Sequence, residues 1–291
     1  MDPHATAPTD TGSIMDAMSF DDALLGRGQE ASMMAATRAP DGHIVARDWH
    51  GQPIDCTRCP YLHLKDQGGC EIGHACMQDG YARRIDRFFR WHPECAREQL
   101  RHPYFEVRAI AARYTEVFHL PGLIDDPDET VRLQLALRLP QRALQRLIHD
   151  PHREVRIRVA QRIDTDKLPA MLHDVDYGVR QWVARRLPVA LLPVLITDPE
   201  PLVRQEVAMR VDTPALLRMA HDEADEVRRT VARRLPSPML KHLSSDPDLI
   251  VRWEVTQRAS TDVVEQMLAD PDTEIRAAAR QRLSDTGVHH G

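Results

Sequence analysis

A repeat of 24 residues is the feature that most constrains how this chain can fold. Eight Val-Arg or Ile-Arg pairs follow one another at this spacing without an insertion. Their arginines are Arg108, Arg132, Arg156, Arg180, Arg204, Arg228, Arg252 and Arg276. Because a strict repeat is typical of stacked units that pack only on their neighbours, the sequence predicts a solenoid and excludes a single globular core.

One copy of the repeat indicates how each unit folds. Asp126 is predicted to cap a helix, with Pro127 at the first helical position and Glu129 completing a capping box. Pro140 predicts the end of this long helix, because proline stops helix propagation. The remaining segment, around residues 144–148, has helical spacing but room for only a short α or 3₁₀ piece. The sequence therefore predicts an all-α superhelix with one layer of α-helices and one of short, tighter helices.

Apolar and basic positions recur on fixed faces of the long helix. Val131, Leu135 and Leu139 form one stripe that is predicted to face the core. Arg132 and Arg138 flank the stripe and recur in nearly every copy, so stacking predicts two arginine columns. These columns are consistent with a structural ladder bonded to aspartates and helix-end carbonyls, or with a groove that binds a phosphate chain or an acidic partner.

Two tryptophans occupy positions of the long helix that vary between copies. Trp182 and Trp253 are large side chains for sites predicted to face solvent or a partner. They are candidate anchors for a protein contact, with coverage by neighbouring side chains as the alternative.

A cysteine cluster upstream of the repeats predicts a metal centre. Four cysteines have the spacing Cys-x2-Cys-x10-Cys-x5-Cys among three glycines, and a fifth, Cys95, follows 18 residues later. The four are Cys56, Cys59, Cys70 and Cys76, and the glycines are Gly68, Gly69 and Gly73. An iron–sulfur cluster and a zinc ion both use four thiolates, and His63 or His74 could take part in a mixed zinc site. The spacing leaves iron–sulfur, zinc and purely structural cysteines open.

Composition limits the other possibilities. Residues 1–48 contain eight acids and three arginines, so they account for −5 of the net charge of −6 and leave the repeats close to neutral. This nearly neutral charge argues against a broad basic surface that would bind nucleic acid. Cysteines confined to one short region favour a reducing compartment, and the absence of an apolar run of about 20 residues argues against a membrane span. We therefore expect a cytoplasmic protein, and the lack of catalytic motifs predicts that it is not an enzyme.

The motifs together resemble the leucine-rich repeat variant family over about residues 50–284. The resemblance rests on the cysteine cluster, on the segment Tyr81-Ala82-Arg83-Arg84-Ile85-Asp86-Arg87-Phe88-Phe89-Arg90, and on repeats of the form Val-Arg-x-x-Val-Ala-x-Arg-Leu. It implies a right-handed superhelix of alternating α and 3₁₀ helices and a [4Fe–4S] cluster. The implied ligands are Cys56, Cys59, Cys70 and Cys76, with Cys95 able to replace one of them.

These observations predict four regions and one leading function. The regions are a largely disordered leader (1–47), a cysteine module with a capping helix (48–91), an eight-repeat solenoid (92–284) and a tail (285–291). The function expected is a non-catalytic scaffold that binds a partner protein and carries a cluster for electron transfer or for redox or oxygen sensing. The resemblance further implies a link to nitrogen fixation. The alternative is a nucleic-acid-binding repeat protein that uses its arginine columns and has a structural iron–sulfur or zinc site.

Overall fold

The computed structural model describes residues 44–287. The predicted leader therefore lies outside the described residues except for its last four positions, and so do positions 288–291 of the predicted tail. The chain divides into two compact units, Met1–His119 and Leu120–Gly291. Regular structure in the described range is helical, apart from isolated bridge residues in the cysteine module. No helix within residues 44–287 combines the length and apolar character needed to cross a bilayer.

The first unit contains short helices and two α-helices of ten residues each. Its elements are Cys56–Arg58 (3₁₀), Leu62–Asp66 (α), Ala82–Trp91 (α), Pro93–Cys95 (3₁₀), Arg97–Arg101 (3₁₀) and Phe105–Tyr114 (α). Ala82–Trp91, here called the capping helix, packs on Phe105–Tyr114, the long helix of the first copy. Ile85, Phe88 and Phe89 are fully buried, so the apolar face of the capping helix belongs to the core of this unit.

A buried carboxylate fixes the capping helix in place. Asp86 lies on this helix and accepts hydrogen bonds from Arg113 Nη1 (3.1 Å) and Tyr114 Oη (2.9 Å) at the end of the first repeat helix. Arg90 also donates to Asp86, at 2.6 Å. Because charge-assisted bonds with three donors offset the desolvation of a buried carboxylate, Asp86 sets the register between the two helices.

In the second unit, long α-helices alternate with short segments. The long helices are Glu129–Arg138, Arg153–Arg162, Tyr177–Arg186, Pro201–Ala208, Asp225–Arg234, Leu249–Arg258 and Thr273–Gly287. The short segments, counted from the first copy onward, are Val117–Leu123 (3₁₀), Gln141–Leu144 (α) with Gln145–Leu147 (3₁₀), Leu168–Met171 (3₁₀), Val189–Leu195 (3₁₀), Thr213–Arg218 (α), Ser237–Leu243 (3₁₀), and Thr261–Gln266 (α) with Met267–Ala269 (3₁₀). This alternation confirms the predicted all-α solenoid of long α-helices and short α or 3₁₀ segments.

The core of the second unit is the stripe predicted from the repeat. Val131, Leu135 and Leu139 are fully buried, and so are their counterparts in the third to seventh copies. The eighth copy buries Ile275 and Ala279 fully, whereas Leu283 is half-buried. A fully buried valine or leucine stabilises the fold by about 1.5–3 kcal/mol relative to an exposed one. Repetition of this contribution along the stack is what lets such short units fold together.

The start of each long helix differs from the prediction. The second-copy helix begins at Glu129, and its N-cap is Asp128, whose carboxylate accepts from Thr130 N at 2.8 Å. Asp126 lies two residues before this cap and accepts from Asp128 N at 3.0 Å. The predicted cap at Asp126 and helical Pro127 were therefore wrong by two residues. The physical reason appears in later copies, where the equivalent aspartate is held by an arginine of the preceding copy.

The last copy presents a different face from the others. An alanine is fully buried at one position of the long helix in five successive copies of the second unit, namely Ala136, Ala160, Ala184, Ala208 and Ala232. The seventh copy has a fully buried Thr256 there, and the eighth has the exposed Arg280. The final helix also runs to Gly287, beyond the boundary predicted at 284. The stack thus changes from an apolar to a charged surface at its last helix.

Candidate functional site

Cys56 and Cys59 belong to one tight turn. Asp55 caps the 3₁₀ segment Cys56–Arg58 by accepting from Thr57 N at 2.9 Å. Cys59 N donates to Cys56 O at 3.1 Å and closes the turn. The Cys-x2-Cys spacing therefore folds locally and needs no help from the rest of the chain to bring the two thiols onto one turn.

Cys70 follows a glycine turn that a distant histidine anchors. Gly68 has a φ of +74°, which favours glycine, and Gly69 N donates to Leu64 O at 2.7 Å. His92 Nε2 donates to Gly69 O at 2.6 Å, and since a carbonyl can only accept, Nε2 carries the proton. A Cβ on Gly69 would lie 3.0 Å from this imidazole. The close approach explains why a residue without a side chain precedes Cys70.

Cys76 closes a small loop and is tied to the capping helix. Glu71 and Ala75 exchange two backbone hydrogen bonds of 2.9 Å, with Gly73 at a φ of +82° between them. Cys76 N donates to Arg84 O at 3.1 Å. Arg84 is itself buried and pairs with the buried Asp79 at 3.1 Å. The position of Cys76 thus depends on the docking of the capping helix.

The four predicted cysteines line one pocket. Besides Cys56, Cys59, Cys70 and Cys76, the wall contains Ile54, Tyr61, Leu62, Lys65, Glu71, Ile72, Met77, Gln78 and Phe88. Cys95 is not among the lining residues, and neither is His63 or His74. Tyr61 has its ring in the wall, and its hydroxyl donates to the carbonyl of Cys95 at 3.3 Å. The four cysteines that the resemblance implies thus line one pocket, and Cys95 lies outside its wall but bonds through its carbonyl to Tyr61.

Burial raises the pKa of three thiols in the module, those of Cys70, Cys76 and Cys95. It raises the pKa of Cys76 to about 12 and that of Cys95 to about 11. The pKa of Cys70 is raised by burial and, to a smaller extent, by the neighbouring Cys59 and Cys56. A metal centre is bound by thiolates, so its binding would release the thiol protons. Within residues 44–287, no three cysteine, histidine, aspartate or glutamate side chains converge closely enough to hold a single metal ion.

The donor set fits an iron–sulfur cluster. Four thiols share one pocket whose wall is otherwise mainly apolar, and such clusters are bound by four cysteine thiolates and tuned by the surrounding burial. Phe88 and Met77, both almost fully buried, close the inner side of the pocket. The only charged residues in its wall are Lys65 and Glu71, as judged over the part of the chain that the structure describes.

Replacement of Gly73 tests the loop that carries Cys76. Gly73→Ala should lower the free energy of unfolding of the first unit by about 1–2 kcal/mol, because alanine is strained at positive φ. Gly122→Ala is the matched control, since Gly122 lacks a positive φ and a Cβ there meets nothing within 4 Å. Urea denaturation followed by circular dichroism compares the two. Equal stability of both variants would show that the loop relaxes and does not hold Gly73 in this conformation.

The first arginine column forms a ladder that points forward along the second unit. Each arginine donates two hydrogen bonds to the carboxylate of the aspartate 18 residues later. Arg204, for example, donates from Nε and Nη2 to Asp222 at 2.7 and 2.8 Å, and both side chains are almost buried. The pairs are Arg132–Asp150, Arg156–Asp174, Arg180–Asp198, Arg204–Asp222, Arg228–Asp246 and Arg252–Asp270. This arrangement supports the interpretation of the column as structural.

The second arginine column points backward and donates mainly to backbone carbonyls. Arg162 donates to Ala136 O at 2.5 Å and Leu139 O at 3.2 Å, which are carbonyls at the end of the preceding long helix. Arg186, Arg210, Arg234, Arg258 and Arg282 repeat the first of these contacts one copy further on each time. Burial lowers the pKa of Arg162, while the negative end of the helix dipole favours its charge. Guanidinium groups held in this way have few donors left for phosphate groups.

The two tryptophans singled out from the sequence have different surroundings. Arg185 stacks on Trp182, with its guanidinium carbon 4.8 Å from the ring centroid, and Trp182 is only half-exposed. Arg185 is held there by Glu206, with Nε to Oε1 at 2.6 Å. Trp253, by contrast, is 43% exposed. Trp253 is thus exposed enough to serve as the expected anchor, whereas Trp182 is covered by a neighbouring side chain.

Two family models match separate parts of the chain. The model described as "LRV protein FeS4 cluster" matches residues 46–98, which include all five cysteines. The model described as "Leucine rich repeat variant" matches residues 129–152, 177–200 and 225–248. The first match indicates an iron–sulfur module, and the second follows the same 24-residue units that form the second unit.

Two known proteins are similar to this chain. A solved structure described as a leucine-rich repeat variant with a novel repetitive protein structural motif is 41% identical, with a TM-score of 0.75. That match covers 79% of this chain and 98% of the other. An uncharacterized 27.7 kDa protein in the nifB 3′ region of Rhodobacter capsulatus is 50% identical over 93 residues. The second match covers 32% of this chain and only 38% of the relative's length.

Proposed function

The chain belongs to the leucine-rich repeat variant family and has its iron–sulfur module, and from this premise we propose a non-catalytic scaffold that exchanges electrons through a [4Fe–4S] cluster. The observation that supports this proposal most is the pocket lined by Cys56, Cys59, Cys70 and Cys76. Four thiols from three turns of one module supply the complete ligand set of such a cluster. Cys95 has no ligand role in this proposal.

The position of the pocket supports electron exchange with another protein. Leu62 and Ile72 both line it, and about two fifths of each is exposed to solvent. A bound cluster would supply one-electron chemistry, and its potential would depend on burial and nearby charges. Phe88 and Met77 keep water from the inner side, while Leu62 and Ile72 leave an apolar outer rim. A partner could therefore approach the site without a large rearrangement of the module.

The repeats are proposed to bind a protein partner. A solenoid offers an extended surface on which exposed side chains can vary while the core stays constant. The proposal includes a cytoplasmic location, since thiol-ligated clusters of this kind need a reducing compartment. The name of the Rhodobacter relative refers to the nifB 3′ region, and we extend that context to this chain as an association with nitrogen fixation.

The bonding of the two arginine columns argues against the nucleic-acid alternative. Arg132, Arg156 and their counterparts are bonded to aspartates in the second unit, and the second column is bonded to backbone carbonyls. Binding to phosphate groups would require breaking these contacts and would leave buried carboxylates without a cation. The arginine columns therefore serve the stack in this proposal.

Analysis of the bound metal tests the proposed cofactor. Protein purified without oxygen should contain about four irons and four sulfides per chain. Its broad visible absorption should bleach reversibly with a chemical reductant, with an electron paramagnetic resonance signal in one of the two states. One zinc without sulfide would contradict the proposed cofactor. A cluster that cannot be cycled between two oxidation states would contradict electron exchange and leave it a structural role.

A further inference from the structure

An exposed apolar triad lies on one turn of the seventh-copy helix, Leu249–Arg258. It consists of Leu249, Ile250 and Trp253, which are 40%, 46% and 43% exposed. Their spacing of one, three and four residues places them on one side of the helix. Three large apolar side chains in one turn are unusual for a solvent-facing surface and indicate a contact site.

Packing of the repeats does not account for the triad. Val251 and Val255 of the same helix are fully buried and supply its core contacts. The second copy has Glu129 and Thr130 in place of Leu249 and Ile250, and it forms the same long helix. The three apolar residues are therefore not required by the repeat itself.

Carboxylates flank the triad on both sides along the stack. Glu226 precedes Ile250 by 24 residues and Glu274 follows it by 24, so both occupy its position in the neighbouring copies. Both glutamates are exposed, and neither side chain forms an ion pair within the described residues. Neighbouring packed helices lie about 8–10 Å apart, so each carboxylate borders the apolar surface.

The arginine at the Trp253 position of the preceding copy is already neutralised. Arg229 occupies the position of Trp253 in the preceding copy, and it donates to Asp248 from Nε and Nη2 at 3.1 and 2.8 Å. It also forms an ion pair with Asp225. Since Arg229 is shared between two carboxylates, the rim as a whole has a negative charge.

We infer that the triad docks an amphipathic helix of a partner protein, with apolar residues against Trp253 and Ile250 and a lysine or arginine on each side. A helix about 10–12 Å wide would bridge the distance between the two glutamates. The apolar stripe would supply affinity, and the flanking cations would select against acidic segments. This inference rests on the scaffold part of the proposed function and is independent of the cluster. A patch this small fits a weak, transient contact.

Binding of two synthetic peptides tests the inference. The first is a fluorescently labelled helical peptide of about 18 residues, with leucines at every third or fourth position and lysines on both flanks. The second has glutamate in place of every lysine. Fluorescence anisotropy with the full chain should show binding of the lysine peptide and affinity about tenfold or more lower for the glutamate peptide.

Protein variants locate the binding. The double variant Ile250→Gln, Trp253→Gln should weaken binding of the lysine peptide about tenfold or more, because it removes the central anchors. Trp91→Gln is the matched control, since Trp91 is 45% exposed but lies in the other unit. Glu226→Lys with Glu274→Lys should reverse the preference in favour of the glutamate peptide. Circular dichroism checks that each variant is folded.

Three outcomes would overturn the inference. They are equal affinity for both peptides, unchanged binding by the double variant, or a dimer in analytical ultracentrifugation that the double variant abolishes. The last would identify a second copy of the chain as the occupant. Iron and sulfide are measured on the same preparations. Loss of peptide binding with a redox-active cluster would therefore reject this inference alone, and an inactive cluster with intact peptide binding would reject the electron-exchange function alone.

Discussion

Serine in place of Cys76 should leave the purified protein without its iron–sulfur cluster, whereas serine in place of Cys95 should leave iron and sulfide near wild-type amounts. Cys76 is the most buried of the pocket cysteines, and its backbone is tied to Arg84 O of the capping helix. A ligand from elsewhere in the chain would have to displace this anchored loop. Cys95 lies outside the pocket wall and bonds through its carbonyl to Tyr61. Iron and acid-labile sulfide per chain, measured after anaerobic purification, distinguish the two variants.

The comparison of these two cysteines is informative because their thiols share other properties. Burial raises the pKa of both, so a difference in cluster content cannot be ascribed to one thiol being ionised and the other not. A lower iron content in Cys95→Ser, with a wild-type iron content in Cys76→Ser, would make Cys95 the fourth ligand and reject the proposed set. Loss of the cluster in both variants would indicate that both cysteines are needed for the module to fold. Tyr61→Phe then tests whether the contact with Cys95 supports the pocket.

Replacement of Arg204 by methionine should lower the free energy of unfolding of the second unit by about 3–5 kcal/mol, because it leaves the buried Asp222 without its cation. Urea denaturation followed by circular dichroism measures the loss. Arg146→Met is the matched control, since Arg146 pairs with Asp125 at 3.4 Å with both side chains largely exposed. We expect the control to cost about 0–1 kcal/mol. A loss at Arg204 no larger than at Arg146 would show that the ladder contributes little to stability.

A second substitution separates the value of the pair from the cost of breaking it. Arg204→Met with Asp222→Asn removes both charges, while the asparagine side-chain oxygen can still accept from Ala224 N as the aspartate does at 2.9 Å. The double variant should regain part of the stability lost by the single one, since no uncompensated charge stays buried. No recovery would indicate that the guanidinium stem and its bonds to Asp198 O and Pro199 O matter more than charge pairing.

Core and repeat architecture were predictable from the sequence because they follow from periodicity. The 24-residue spacing and the stripe of Val131, Leu135 and Leu139 identify the buried face of every copy. The helix start was mispredicted because the pattern around Asp126 contains two aspartates that can each cap a helix. Which of the two aspartates caps the helix depends on tertiary contacts, because the first aspartate of later copies accepts hydrogen bonds from an arginine of the preceding copy. No local propensity contains that information.

The candidate site was predictable only in part. Cysteine spacing identified the region, and the resemblance implied the four ligands, but the contact between His92 and Gly69 joins residues 23 positions apart. Such long-range contacts leave no signal in the spacing of the motif. The covering of Trp182 could have been anticipated, because Arg185 follows it by three residues and therefore shares its helix face. Trp253 has glutamine and threonine at the corresponding distances and stays exposed.

Arg280 has a consequence for how many copies of this protein can join end to end. A solenoid whose last unit repeats the interior pattern is a template on which another molecule can continue the stack, and head-to-tail contacts of that kind grow into open filaments. Where earlier copies bury an alanine, a molecule that continued the stack would have to desolvate the exposed guanidinium of Arg280. That desolvation costs several kcal/mol. A charged side chain at this position of the last described helix thus makes continuation of the stack by a second molecule less favourable than an alanine would.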